Sequence, residues 1–183
     1  MLKLYGGAFS RASIVRWYLE ELDAPYEFVT LDMQAGEHRQ DDFLTINPMG
    51  KVPALVDGEI TLWESGAILL YLAEKFGNMP GTHQERGLLY QWVLFANSTL
   101  SEGLFNESLR EKQTPRLLQP LDDLLKTQPY LMADTFTVAD VAVVSLLGFA
   151  VQMIQLDMSA YPAVQAYLQR CSQRSAFQKA MSS

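Results

Sequence analysis

The sequence predicts a chain in two parts, an α/β unit built on a four-stranded mixed sheet and then a region made only of helices. Two observations carry this expectation. Through residue 77, short runs of strand formers and helical patterns follow the order β, α, β and then β, β, α. From residue 84 onward, apolar residues keep helical spacing and no hairpin signal occurs. The expected division is therefore 1–77, a linker at 78–83, and 84–183.

Leu2 to Tyr5 is an apolar run ended by Gly6-Gly7, which suits a buried strand and a turn. Ser10 to Leu22 then spaces Ile14, Val15, Tyr18, Leu19 and Leu22 along one helix face. Tyr26 to Leu31 is rich in β-formers, and the polar stretch Asp32 to Asp42 reads as a loop or short helix. Val52 to Val56 and Ile60 to Trp63 flank Asp57-Gly58, a pair that tolerates the positive φ angles of a two-residue turn. Ser65 to Phe76 is a helix closed by Gly77. This order is the thioredoxin-like arrangement, with helices on both faces of the sheet.

Asn78-Met-Pro-Gly-Thr is a linker by composition, and Thr82 with Glu85 forms a capping box. Leu88, Leu89, Trp92, Val93, Ala96 and Leu100 then hold helical spacing. Thr114-Pro115 reads as an N-cap with proline at the first helical position, and Pro120 as a break or kink. Thr137 caps an apolar helix from Val138; Tyr161-Pro162 opens another through Arg170, and a short one lies near Ala176 to Ala180.

Composition narrows the function. The net charge of −7 repels nucleic-acid phosphates, and no Lys/Arg run reverses it locally. One cysteine, Cys171, allows no intrachain disulfide, and two histidines offer little to a zinc site, so no metal is expected. The apolar stretch Val138 to Ile154 is interrupted by Asp140 and Gln152 and is short for a membrane span. Met1 to Gly7 does not read as a signal peptide. The expectation is a cytoplasmic protein without nucleic-acid or membrane partners.

Two segments carry chemistry. In Asn47-Pro-Met-Gly-Lys-Val-Pro-Ala-Leu-Val, Pro53 cannot donate a ladder bond at the strand start. It is either an ordinary trans proline there or part of a cis Val52-Pro53 bond that turns the Val52 backbone toward a ligand. A Val52 N–H and C=O so turned could pair with an extended peptide as an added strand does. In Trp63-Glu64-Ser65-Gly66, the first N–H groups of a helix and the Ser65 hydroxyl suit a carboxylate, and Glu64 suits an ammonium. Ser65 can equally be a plain helix cap.

With these motifs in place the chain resembles the cytosolic glutathione transferase family. Asn47-Pro-x-Gly-Lys-Val-Pro-Ala-Leu and Glu64-Ser65-x-Ala-Ile-x-x-Tyr-Leu match its glutathione-binding signature. Thr137-Val-Ala-Asp140-Val resembles its capping motif, and Tyr161-Pro-Ala-Val with Arg170-Cys-x-x-Arg174 its closing helices. The short length and the N-terminal Leu-Tyr-Gly-Gly-Ala-x-Ser-Arg-Ala-Ser look most like the chi class, near beta and theta. The resemblance implies glutathione as co-substrate, conjugated to small apolar electrophiles, and a homodimer. Val52, next to Pro53, would hold the cysteinyl backbone, Glu64 and Ser65 the γ-glutamyl end, and Lys51 and Arg39 the glycyl carboxylate. Thr137 and Asp140 would be structural. Thiol-dependent peroxidase, reductase or isomerase work, and non-enzymatic binding of glutathione or apolar ligands, are the alternatives.

The thiolate is the nucleophile, and lowering a thiol's pKa by about two units needs about 2.7 kcal/mol of preferential stabilisation. A hydroxyl donor at a helix start can supply this, and Ser10 sits there, at the position of the theta-class serine. Arg11 and Ser13 are its rivals. Phe9 replaces the cysteine of the beta-class pattern, which excludes a mixed disulfide at that position. Phe9, Trp92, Phe95, Leu100 and Phe105 are candidates for an apolar electrophile pocket, or else for helix packing.

Overall fold

The structure, a computed structural model, describes residues 1–7 and 10–181. The chain runs β1 (Leu2–Gly6), α1 (Ala12–Glu21), β2 (Tyr26–Thr30), α2 (Asp41–Leu44), β3 (Ala54–Asp57), β4 (Ile60–Trp63) and α3 (Ser65–Lys75). It continues with α4 (His83–Phe95), α5 (Ser101–Phe105), α6 (Glu107–Leu125), α7 (Val138–Ile154), α8 (Pro162–Ser172) and α9 (Ser175–Met181). A 3₁₀ turn at Glu37–Arg39 precedes α2, and a π-helical segment at Ala96–Leu100 joins α4 to α5.

In the first unit the strands lie in the order β2-β1-β3-β4, with β1 parallel to β2 and β3 antiparallel to both β1 and β4. Leu2, Leu4 and Leu55 on the sheet are buried, as are Ile14, Val15 and Leu19 of α1 and Ile68, Leu69 and Leu72 of α3. At roughly 1.5–3 kcal/mol per fully buried aliphatic side chain, this layer supplies most of the unit's hydrophobic stabilisation. The end of β1 meets the start of α1 closely: a Cβ on Gly6 would lie 2.3 Å from the Ala12 Cβ. Only glycine permits that approach, which seats the first turn of α1 beside the C-terminal end of the inner strand β1.

The hairpin is shifted by one residue from its expected position. Asp57 pairs with Ile60, so the turn residues are Gly58 and Glu59, and Gly58 supplies the positive φ of 62°. Asp57 stays on the strand because its carboxylate accepts from the Tyr71 hydroxyl at 2.6 Å and pairs with Lys75, both on α3.

The second unit, Asn78–Arg174, is built around α7. Val138 through Leu147 of this helix are all buried. The capping box at Thr82 and Glu85 forms as expected, and so does the one at Thr137 and Asp140. The expected helix start at Thr114-Pro115 does not occur. Instead α6 begins after Asn106, whose Oδ1 accepts the Ser108 N–H at 3.1 Å, and runs through both Pro115 and Pro120. Both prolines are exposed, so water can serve the carbonyls they leave without an N–H partner.

The last helix corrects the expected division at 84–183. α9 belongs with the first unit, not with the helices before it. Trp17 lies on a second buried face of α1 and is fully covered, its ring meeting Phe177 of α9 edge-on at 4.9 Å. Such a pair adds about 1 kcal/mol beyond the area it buries. Lys179 pairs with Glu20 across the same contact. Among the described residues, no helix is long and apolar enough to cross a membrane.

Candidate functional site

Two clefts in the first unit share a wall. The first, of about 340 Å³, is lined by Arg11, Asn47, Met49, Lys51, Val52, Pro53, Trp63, Glu64 and Ser65. The second, of about 480 Å³, continues from Met49, Lys51 and Val52 to Met33, His38 and Arg39. Together they bring the residues expected to bind glutathione, Arg39, Lys51, Val52, Pro53, Glu64 and Ser65, around one connected hollow.

The local fold explains the order along it. The Val52–Pro53 bond is cis, and β3 begins two residues later. Among the described residues no hydrogen bond is made to the Val52 backbone, which lines both clefts with its N–H and C=O unpaired, as on a strand edge. At the end of β4, Glu64 adopts φ 68° and ψ 116°, an unfavourable conformation for a residue with a Cβ that costs on the order of 1–3 kcal/mol. That bend turns the chain into α3 and leaves the Glu64 side chain exposed beside the buried Ser65. The first N–H groups of α3 supply partial positive charge next to a carboxylate, a pair of opposite signs at one end of the cleft. Arg39 and Lys51 put two cations at the other end, and His38 adds a buried Nδ1 with no hydrogen-bond partner.

The start of α1 sorts the three candidates for thiol activation. Ser10 Oγ accepts the Gly7 N–H and the Ala12 N–H, each at 3.2 Å. A hydroxyl has two acceptor sites and one proton, so with both lone pairs filled Ser10 has its O–H left to donate. Ser13 spends its proton on the Ser10 carbonyl at 3.0 Å. Arg11 lines the first cleft directly, which neither serine does. Phe9 lies outside the described residues.

Of the four described candidates for the apolar pocket, two share a groove. Trp92 and Phe95 meet edge-on at 5.6 Å and line a groove of about 260 Å³ with Leu117, Pro120 and Leu121. Leu100 is fully buried in the helical core, and neither it nor Phe105 lines this groove. Helical spacing alone does not say which apolar face is covered.

Thr137 and Asp140 lie within the helical unit and line neither cleft. The Asp140 carboxylate, fully buried, accepts the Leu131 N–H at 2.9 Å, the Thr137 N–H at 2.8 Å and the Tyr167 hydroxyl at 2.8 Å. Burial pushes its carboxyl above the usual range against those donors. Among the described residues, no group of three His, Cys, Asp or Glu side chains converges as metal ligands would.

Residues 1–74 match the family model for the N-terminal domain of glutathione S-transferases, and residues 106–175 the model for their C-terminal domain. The chain belongs to the glutathione S-transferase family. It is 30% identical to the disulfide-bond oxidoreductase YfcG of Escherichia coli, over 99% of this chain and 94% of that protein. The crystal structure of a glutathione transferase from Methylococcus capsulatus superposes with a TM-score of 0.87 at 30% identity, covering 100% of this chain and 98% of that one. The glutathione transferase URE2P6 of Phanerochaete chrysosporium, solved with oxidized glutathione, superposes at 0.85 and 28% identity, covering 99% and 94%. Several lining residues of the two clefts, His38, Met49 and Trp63 among them, were not among the expected binding residues. Met49 and Trp63 lie inside the two segments that carry the motifs, and His38 lies in the polar stretch Asp32 to Asp42.

Proposed function

We propose that this protein is a glutathione transferase, joining the sulfur of glutathione to small apolar electrophiles. One observation carries the reading: the order of chemistry along the two joined clefts is that of the tripeptide. Glutathione has an ammonium and a carboxylate at one end, peptide groups in the middle and a second carboxylate at the other end. The clefts offer Glu64 with Ser65 and the start of α3, then the Val52 backbone, then Lys51 and Arg39. The solved relative that holds oxidized glutathione supports the same ligand.

In this mechanism the tripeptide lies as an added strand along Val52, and the Ser10 O–H donates to the cysteinyl sulfur. Donation to the thiolate stabilises it over the thiol, with the Arg11 charge and the α1 terminus adding to the effect. The thiol proton passes to solvent and the thiolate attacks the electrophilic carbon; a halide departs with its bonding electrons, or, with an isothiocyanate, the sulfur adds to carbon and the nitrogen takes up a proton. The helical unit supplies the apolar surface, with the half-buried Trp92 and Phe95 lining a groove on it. A homodimer in the cytoplasm is the setting we assign.

A second reading is glutathione-dependent disulfide reduction, favoured by the Escherichia coli relative. Cys171, the only cysteine, is fully buried, so both reacting thiols would come from glutathione.

Calorimetric titration with glutathione, followed by rates with an activated aromatic halide, an isothiocyanate, a peroxide and a low-molecular-weight disulfide, separates the readings. Conjugation requires turnover with the first two. Ser10→Ala should lower kcat by roughly 10–100-fold and move its pH profile upward, with the glutathione Kd kept within about threefold. Full rate with an unmoved pH profile transfers the role to Arg11.

A further inference from the structure

The loop leading into β3 closes on one buried side chain. Asn47 is 1% exposed. Its Oδ1 accepts the Met49 N–H at 3.0 Å, and its Nδ2 donates to the Lys51 carbonyl at 2.7 Å. A backbone N–H only donates and a carbonyl only accepts, so the two partners fix which end of the amide is which. The main chain of Asn47 is tied as well: its N–H donates to the Phe43 carbonyl of α2 at 2.9 Å, and its carbonyl accepts from Gly50 at 3.0 Å. Helix α2 thus anchors Asn47, and Asn47 anchors the loop.

The consequence falls on the next peptide. The Lys51–Val52 unit is planar and trans, so its C=O and N–H point in opposite directions. Holding the Lys51 carbonyl on Asn47 turns the Val52 N–H away from Asn47. We propose that Asn47 is a positioning residue for substrate, fixing the Lys51–Val52 plane so that the Val52 N–H meets the cysteinyl carbonyl of the bound tripeptide. This deepens the glutathione reading and rests on it. Asn47 touches no reacting atom; its effect reaches the ligand through one peptide plane.

The test must separate aim from mere loop stability. Asn47→Asp keeps the acceptor for the Met49 N–H but loses the donor to Lys51, facing that carbonyl with a carboxylate. Binding by wild type and Asn47→Asp is measured by calorimetry with glutathione and with an isostere whose Cys–Gly peptide is replaced by an alkene, which lacks the cysteinyl carbonyl. Wild type should bind the isostere about tenfold more weakly than glutathione, while Asn47→Asp should bind the two within about twofold of each other, as coupled partners in a cycle do. The added charge acts on both ligands alike, so an equal loss on both overturns the assignment. An unchanged affinity for glutathione overturns it too. Near-UV circular dichroism checks the fold of the variant; if Asn47→Asp does not fold, Asn47→Ser goes through the same cycle under the same criteria. Wild type that binds no glutathione at all sinks the parent reading and this assignment with it, a result distinct from the other two.

Discussion

Two helix starts in this molecule meet the same electrostatic demand in opposite ways. The first turn of any helix has N–H groups with no partner inside it, and partial positive charge gathers there. At α7 the chain satisfies them itself: Thr137 Oγ1 accepts from the Ala139 N–H at 3.2 Å, and Asp140 closes the box onto the Thr137 N–H. At α3 the cap residue is Glu64, which makes no side-chain capping bond and is held at positive φ beside a cleft. A closed start stabilises the fold. A start that opens on a cleft, kept at a backbone cost, is where a ligand's carboxylate gains most. Under the proposed function, the difference separates a structural carboxylate, Asp140, from one that would bind the ligand, Glu64.

The comparison is easiest to break at the closed end. Asp140→Ala leaves the Leu131 N–H, the Thr137 N–H and the Tyr167 hydroxyl buried without their acceptor. At roughly 1–3 kcal/mol for each stranded group, partly relaxed, the expected loss is about 3–5 kcal/mol in a urea unfolding series. A loss below about 1 kcal/mol would mean that water already serves these groups and that Asp140 is no cornerstone.

A second closed start gives a smaller effect and a pH signature. Asp122 on α6 caps α8 from 41 residues away: its Oδ1 accepts the Ala163 N–H at 2.7 Å and the Val164 N–H at 3.1 Å, while its other oxygen pairs with Lys126. Burial opposes the charge, but the Lys126 ammonium and the two N–H groups win and hold its carboxyl below the usual range. A carboxyl depressed in the folded state stabilises above its unfolded pKa of 3.8 and loses that contribution as pH falls through the folded value. Asp122→Asn should therefore cost about 2 kcal/mol near pH 7, with the gap to wild type narrowing once pH falls below 3.8. A gap that stays constant across this range would assign the bond to geometry alone.

Which of these features the sequence displays follows from how far apart their parts lie. Contiguous devices are legible: Thr82 with Glu85, Thr137 with Asp140, and Val52-Pro53 and Glu64-Ser65 at their fixed spacing all stand in single segments. Devices assembled across the chain are not. Nothing near Asp122 announces that it caps a helix at residue 163, and nothing in Ser175–Met181 says that Phe177 covers Trp17 rather than the helices just before it. The Thr114-Pro115 pair misleads for a different reason. Proline at a helix start and proline on the solvent side of a helix interior share one local pattern, and only the Asn106 cap further back distinguishes them here. Asn47 was legible as part of a signature but not as an anchor, since its role lies in the direction its carboxamide faces.

The open start offers the smallest change in stability and the most informative one. Glu64→Gly removes the Cβ that makes φ 68° unfavourable, a gain on the order of 1–3 kcal/mol. Against it stands the larger backbone entropy that glycine loses on folding, roughly 0.5–1 kcal/mol. Net stability in the urea series should stay within about 1 kcal/mol of wild type or rise. The carboxylate that pairs with the ligand's ammonium is lost at the same time, so the glutathione Kd should weaken by about tenfold, worth about 1.4 kcal/mol. Stability held while affinity falls is the pattern of a residue kept for binding at a cost to the fold. If Glu64→Gly instead unfolds the protein as readily as Asp140→Ala does, the two helix starts are alike and the distinction between them is lost.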